Sequence, residues 1–361
     1  MSRNLSKRVL NRAIGAAVLA MSMAAQAGNN GVAVSVAPEK TSLGKSDDVV
    51  VKVTFTNTSG SPQYVLKSHT PFEEVEAPLF EITRDGKPVR YMGAIAKRGA
   101  PGASDYFLLK PGASYSVKVE LSALYDMGTT GDYAIRYHAA SAQMFGNGKE
   151  GGELKSDAAT VWIDGIRPRG SNEQAKTLAE MQAQAGVVTA QGGALAFNKC
   201  TTSQQADITN AVSAALSMTS DGDAYMARGT MGSRYTKWFG AVDSSRVATI
   251  KSHFAALKDA FATKPITVDC GCKKTYYAYV YPTQPYTIYV CKAFWSAPMT
   301  GTDSKGGTLV HEMSHFNVVA STDDWVYGQS GAASLAISNP SQAIDNADSH
   351  EYFGENTPAL Q

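Results

Sequence analysis

Apolar and polar residues alternate along the first half of the chain and change to a helical period in the second. Val32-Ala33-Val34-Ser35-Val36 and the run from Val49 to Phe55 alternate with a period of two, and the second ends in the turn-like Asn57-Thr58-Ser59-Gly60. Phe80-Glu81-Ile82-Thr83 leads into Arg84-Asp85-Gly86-Lys87, a hairpin signal. Tyr115 to Leu121 alternates again after Lys110-Pro111-Gly112, and Gly131 to Tyr137 and Ala159 to Ile163 complete the series. Short strands separated by turn signals, with no long helical pattern, predict an all-β immunoglobulin-like sandwich over residues 28–165. Arg167-Pro168-Arg169-Gly170-Ser171 then opens a linker over 166–196, with a short helix from Asn172 to Ala185 and a loose stretch from Gly186 to Gly193. From Phe197 the period is helical. Ser203 to Met218 carries Ile208, Val212, Ala215 and Leu216 on one face; Ser244 to Thr263 carries Val247, Ile250, Phe254, Leu257 and Phe261. Tyr276 to Phe294, rich in Tyr and Val, reads as strands, and Thr308 to Val319 and Ala332 to Ile337 as helices. The expected C-terminal domain, residues 197–361, is therefore α+β.

The N-terminus carries a separate signal. Arg3, Lys7, Arg8 and Arg12 precede the apolar run Ala13 to Ala24, and Ala25-Gln26-Ala27 supplies a small-x-small cleavage pattern. This reads as a secretory signal peptide over residues 1–27, and the chain is expected to be secreted and extracellular. No later stretch approaches the ~18 consecutive apolar residues of a membrane span, so no membrane partner is expected. The net charge is +1 and Lys and Arg do not cluster beyond the N-terminus, which gives no reason to expect a nucleic-acid partner. The 361 residues suffice for two domains. All 4 cysteines, Cys200, Cys270, Cys272 and Cys291, lie in the C-terminal half. An even number in an exported chain argues for disulfides, and the spacing lacks the paired hooks of a four-thiolate zinc site.

The chemistry concentrates in Leu309-Val310-His311-Glu312-Met313-Ser314-His315-Phe316, which contains H-E-x-x-H. On a helix, positions i and i+4 share a face, so His311 and His315 can present two imidazoles to one Zn²⁺. Glu312 then lies beside the open coordination position, where it can take a proton from water. A third ligand is needed. Asp323 and Asp324 follow shortly, Glu351 and Glu355 lie further on, and spacing alone does not choose among them.

His311-Glu312-Met313-Ser314-His315 followed by Thr322-Asp323-Asp324-Trp325-Val326-Tyr327-Gly328 resembles the aspzincin signature, H-E-x-x-H plus G-T-x-D-x-x-Y-G, with Ser321 in place of its first Gly. Over about residues 196 to 361 the chain is similar to the peptidyl-Lys metalloendopeptidases of the deuterolysin group. Arg234-Tyr235-Thr236-Lys237-Trp238-Phe239-Gly240, Ala278-Tyr279-Val280-Tyr281-Pro282, Phe294-Trp295-Ser296-Ala297-Pro298, Gly301-Thr302-Asp303-Ser304 and Asn346-Ala347-Asp348-Ser349-His350-Glu351-Tyr352-Phe353 carry that resemblance. It implies a zincin-like metallopeptidase domain holding one zinc, with Asp324 as third ligand and Tyr327 donating to the oxyanion. It implies Asp348 and Glu351 as the acidic pair that binds a lysine ammonium, with cleavage on the N-terminal side of lysine in protein or peptide substrates. It also implies the pairings Cys200–Cys270 and Cys272–Cys291. His69, His138, His253 and His350 match no ligand position and read as structural or solvated.

Residues 28 to about 195 then read as an inhibitory prosegment, the chain being its own partner, with Lys149 or Lys155 as the lysine offered to the acidic pocket and self-cleavage before Lys176 in the linker. Two other readings are a deuterolysin-like metalloendopeptidase of different specificity, and a non-catalytic secreted binding protein built on the β-sandwich.

Overall fold

The computed structural model describes residues 31–146, 152–165, 187–189 and 193–361. The expected signal peptide, the helix from Asn172 to Ala185, Lys149 and Lys176 lie outside the described residues.

The N-terminal region is β-rich. It holds β1 (Val32–Pro38), β2 (Ser42–Leu43), β3 (Val50–Asn57), β4 (Gln63–Leu66), β5 (Phe80–Arg84), β6 (Lys87–Pro88), β7 (Ile95–Lys97), β8 (Tyr106–Leu109), β9 (Ser114–Glu120), β10 (Gly131–Ser141), β11 (Gly152–Lys155) and β12 (Ala159–Ile163). One sheet runs β1-β3-β9; a second runs β2-β12-β10-β5-β6, with β11 on β10; β4 pairs with β8. The period-two pattern explains the packing, because successive side chains of a strand point to opposite faces. Along β10, Tyr133, Ile135, Tyr137 and Ala139 are buried while the residues between them are not. Across the core Tyr137 meets Phe55 of β3 edge-on, with ring centroids 5.1 Å apart. Each aromatic or branched side chain so buried contributes about 1.5–3 kcal/mol.

The C-terminal region is α+β. Its helices are α1 (Thr202–Ala227), α2 (Ser233–Phe239), α3 (Ser244–Thr263), α4 (Lys292–Ser296), α5 (Lys305–His315), α6 (Gln329–Ser338), α7 (Pro340–Ala343) and α8 (Ala347–Glu355). Its sheet takes in β13 (Val187–Thr189), β14 (Ala194–Asn198), β15 (Ile266–Asp269), β17 (Thr287–Val290) and β16 (Ala278–Val280), in that order, and ends on β7. Part of the stretch expected to be linker thus pairs into the C-terminal sheet. So does one strand of the N-terminal region, since β7 runs antiparallel to the edge strand β16 with Lys97 opposite Ala278.

α1 begins on a capping box, with Thr201 and Gln204 satisfying each other's backbone amides, and runs nine residues past Met218 to Ala227. Gly222 lets it approach α3, since a Cβ there would strike the Phe254 ring. α5 is buried on every side. It ends at His315, where Phe316 turns extended, so the helix expected to reach Val319 stops early. Arg234 on α2 donates from Nε and Nη2 to the carbonyl of Phe353, pinning α8 from behind. Among the described residues no helix is long and apolar enough to cross a membrane.

Disulfides join Cys200 to Cys270 and Cys272 to Cys291. The first ties the start of α1 to the end of β15 across a separation of 70 residues; the second spans 19. A longer closed loop constrains the unfolded chain more. Replacing Cys200 and Cys270 by Ser should therefore cost about 1 kcal/mol more stability than replacing Cys272 and Cys291. Urea denaturation of the two double variants measures the difference, and equal losses would refute the loop-length account.

Candidate active site

α5 places the motif. Its N-cap Ser304 accepts from Gly307 N, and Glu355 accepts from the Ser304 amide (2.8 Å) and hydroxyl (2.7 Å) and from Asp303 N (3.2 Å). Gly307 is required, because a Cβ there would collide with the Glu355 carboxylate. The C-terminal glutamate thus holds the start of the helix and stands away from the histidines.

One helical turn separates His311 from His315, and both are buried. His315 Nδ1 lies 2.7 Å from the Thr322 carbonyl, which fixes the proton on Nδ1 and turns Nε2 inward. His311 Nδ1 lies 2.9 Å from Asp348 Oδ1 on α8. Asp324, in the loop after α5, brings Oδ1 to 3.1 Å from His311 Nε2 and 3.6 Å from His315 Nε2. Asp323 points elsewhere: it sits beside Asp345, whose charge together with burial pushes its carboxyl up to about 7.

Glu312 is fully buried beside this cluster, and burial pushes its carboxyl up to about 8. Burial pushes His315 down to about 4. At His311 burial disfavours the cation, but Asp324, Asp348 and Glu351 outweigh it and hold the imidazole well above its usual range. At Asp324 burial favours the neutral acid, but the two histidines prevail and hold it below the usual carboxylate range. Tyr327 Oη lies 3.1 Å from Asp324 Oδ2 and 3.0 Å from the carbonyl of Ala96, to which it donates.

Asp348 and Glu351, one turn apart on α8, are fully buried and face a lysine. It comes from β7. Lys97 Nζ lies 2.5 Å from Glu351 Oε2, 3.2 Å from Asp348 Oδ1 and 3.6 Å from Asp303 Oδ1. Burial alone would depress the Lys97 ammonium, but Asp348, Glu351 and Asp303 outweigh it and raise its pKa. Asp348 Oδ2 also accepts from Gly328 N (2.6 Å) and lies 3.2 Å from Tyr352 Oη. The expectation for Lys155 is corrected: it lies on β11, partly exposed beside Glu153. Its strand pairs with β10 on the far sheet, whereas β7 adds directly to the edge of the C-terminal sheet.

The sequence matches the profile described as lysine-specific metallo-endopeptidase over residues 224–355. It is 47% identical over 320 residues to an "Extracellular protease" of Aeromonas hydrophila, covering 88% of this chain and 90% of that one. It is 34% identical over 356 residues to a "Peptidyl-Lys metalloendopeptidase" of Armillaria mellea, covering 91% and 95%. The chain belongs to the aspzincin family of metalloendopeptidases. A solved zinc peptidase from Grifola frondosa is 44% identical, covers 45% of this chain and 100% of its own, and has a TM-score of 0.43.

Aspzincin enzymes use zinc, and the residues present suit it. His311 Nε2, His315 Nε2 and Asp324 Oδ1 are buried without a hydrogen-bond partner and lie within 4.8 Å of one another. Ligands about 2.0–2.1 Å from a tetrahedral metal stand about 3.3 Å apart, and the two spacings to Asp324 straddle that value. The carboxylates that favour a proton on His311 favour a divalent cation there equally.

Sequence reasoning assigned no role to Asp303 or Tyr352 at this aspzincin site and weighed Glu355 only as a third metal ligand, whereas it accepts from Ser304 at the start of α5. Tyr352 donates to Asp303 Oδ1 at 2.7 Å, closing the third side of the acidic pocket. The available signal was that Asp303 and Tyr352 both fall in stretches that carry the family resemblance. His69, from the N-terminal region, is buried beside Asp324, and burial pushes it down to about 4. His253 Nδ1 and His350 Nε2 lie 2.9 Å apart in the core behind the pocket. Glu355→Ala should cost about 1–3 kcal/mol by stripping the buried Ser304 hydroxyl and two amides of their acceptor. Thermal melts of the variant check this; an unchanged midpoint would show that α5 does not need it.

Proposed function

We propose that the chain is an exported zinc endopeptidase that cuts on the N-terminal side of lysine, made as an inactive precursor. In this reading residues 1–27 are a signal peptide and 28–165 an immunoglobulin-like sandwich that serves as prosegment and inhibitor. Processing falls within 166–196, and 197–361 form the bulk of the catalytic domain. The observation that carries the specificity is the buried ammonium between Asp348 and Glu351, one side chain away from the H-E-x-x-H helix. A compact, strongly hydrated ammonium is the cation that such a closed pair of carboxylates can compensate. The relative named peptidyl-Lys metalloendopeptidase supports the same specificity, and the one named extracellular protease supports export.

His311, His315 and Asp324 would hold the zinc. Zinc supplies Lewis acidity, polarising the scissile carbonyl and acidifying water. Glu312 accepts the water proton and passes it to the departing amine, a shuttle suited to a carboxyl whose burial raises its proton affinity. Tyr327 donates to the carbonyl oxygen as charge develops there. Asp348 Oδ1 faces both His311 Nδ1 and the lysine, and Glu351 Oε2, 3.4 Å from His311 Nδ1 and 2.5 Å from Lys97 Nζ, does the same at longer range, so the pocket and the metal share these two carboxylates.

Glu312→Gln should retain zinc and lose about two to four orders of magnitude in kcat. Near-normal turnover would remove Glu312 from the base role. Asp324→Ala should lose zinc by elemental analysis, whereas Asp323→Ala should keep it; the opposite pattern would reverse the ligand assignment.

The two pocket acids should separate. Glu351→Gln should weaken kcat/KM for peptides with lysine after the scissile bond by about 2–5 kcal/mol, and should weaken zinc less than Asp348→Asn does, because Glu351 Oε2 lies 3.4 Å from His311 Nδ1 against 2.9 Å for Asp348 Oδ1. Asp348→Asn should weaken kcat/KM likewise and weaken zinc about 10–100-fold through His311. Metal titration and a peptide-library digest read both, and an undiminished lysine preference in the double variant would overturn the pocket.

A further inference from the structure

β7 lies in the site as a substrate would. It extends the sheet at β16 in antiparallel register, with Ile95 opposite Val280, Ala96 opposite Tyr279 and Lys97 opposite Ala278. An extended peptide added to a sheet edge gains affinity from main-chain hydrogen bonds and specificity from alternate side chains. The Lys97 side chain fills the acidic pocket, crossing the faces of Tyr277 and Tyr352, with Nζ 5.2 Å and 5.9 Å from their centroids. The main chain on its N-terminal side is what matters. The Ala96 carbonyl accepts from Tyr327 Oη at 3.0 Å, and the Lys97 amide donates to Glu312 Oε1 at 3.4 Å. These two groups are the two ends of one peptide bond. The oxyanion donor meets its oxygen and the proton shuttle meets its nitrogen.

The flanks hold this register. Arg98 pairs with Glu76 at 2.5 Å and lies over the Tyr276 ring, and Tyr276 Oη donates to Glu76 at 2.6 Å. Gln143 exchanges hydrogen bonds with the backbone of Tyr327, from Nε2 to the carbonyl (2.9 Å) and from the amide to Oε1 (3.0 Å). The N-terminal region therefore grips the residue that donates to its own Ala96.

We propose that Ala96–Lys97 is a self-cleavage site, the first bond that the enzyme cuts in its own chain, and that the cut is intramolecular. One water is consumed. Its oxygen adds to the Ala96 carbonyl carbon, the C–N bond to Lys97 breaks, and Ala96 is left as a carboxylate. Glu312 takes one proton from the water and delivers it to the Lys97 nitrogen, and the second, released as the new carboxyl group ionises, goes to the same nitrogen, which leaves as an ammonium. Until the cut, Lys97 fills the pocket and excludes other lysines. The two sides of the nick stay paired, β3 with β9 and β5 with β10, so the break shows under denaturing conditions before the pieces separate.

The inference rests on the lysine-directed reading above, and one experiment tests the two separately. The full chain is prepared with a chelator, and amine acetylation is followed at each lysine. Lys97 should react at less than a tenth of the rate of the exposed Lys87. Zinc is then added and intact masses are followed in denaturant. Fragments ending at Ala96 and beginning at Lys97 should appear first, with a rate constant unchanged over a hundredfold dilution. Lys97 labelled as fast as Lys87, a first new N-terminus elsewhere, no new terminus at Lys97, or a rate that falls with dilution would each overturn the proposal. A digest of a peptide library by the fully processed enzyme reports on specificity alone: preference for lysine there keeps the enzymatic reading even if Ala96–Lys97 stays whole.

Discussion

Four carboxylates, Glu312, Asp324, Asp348 and Glu351, are buried around α5 and α8, and burial of that much negative charge is possible only with cations among them. A divalent ion held, as proposed, by His311, His315 and Asp324 would bring, with the Lys97 ammonium between Asp348 and Glu351, three positive charges. The remaining carboxylate is Glu312, which burial already pushes toward its neutral form. The arrangement is thus close to neutral only when both cations are in place. Removing one partner of a buried ion pair typically costs about 3–5 kcal/mol. A pocket without an ammonium leaves desolvated charge that a neutral side chain cannot compensate.

The same constraint explains why the N-terminal region reaches so far across the molecule. Its own core, from Val32 to Ile163, is complete without β7. β7 instead leaves that core to complete the edge of another sheet, and it carries a lysine into the place where charge is missing. Lys274 with Glu74 and Arg98 with Glu76 add surface contacts along the same seam, but partly exposed pairs of this kind contribute at most about 1 kcal/mol each. The buried ammonium and the main-chain pairing of β7 are what distinguish this contact from two domains merely touching.

Much of this was legible in the sequence, and the boundary has a physical form. The amphipathic helix from Ser244 to Thr263 has the bounds its apolar period predicts, because a surface helix writes its buried face into every turn. The alternating strands from Val49 to Phe55 and from Gly131 to Tyr137 lie within β3 and β10 for the corresponding reason. α5 was harder to delimit. It is buried all round, so its ends are set by Ser304, Glu355 and the turn at Phe316 and not by any period. β7 left no signal at all. Three residues, Ile95-Ala96-Lys97, are all buried, so there is no alternation to read, and the partner strand lies some 180 residues away. Lys149 and Lys155 looked better placed because Gly-rich sequence suggests reach, whereas the lysine in the pocket is held by strand pairing.

Asp348 ties the cluster of His311, His315 and Asp324 to the acidic pocket around Lys97. Its Oδ1 stands 2.9 Å from His311 Nδ1 and 3.2 Å from Lys97 Nζ, while Gly328 N donates to Oδ2. With both oxygens engaged, the carboxylate cannot turn toward one partner without losing another. An ammonium in the pocket draws charge from the oxygen that orients His311, and an empty pocket returns it. An ammonium beside Asp348, as that of Lys97 is, therefore bears on the basicity of His311. Charge at the pocket is thus felt at His311 through the carboxylates that the two share, without any movement of the fold.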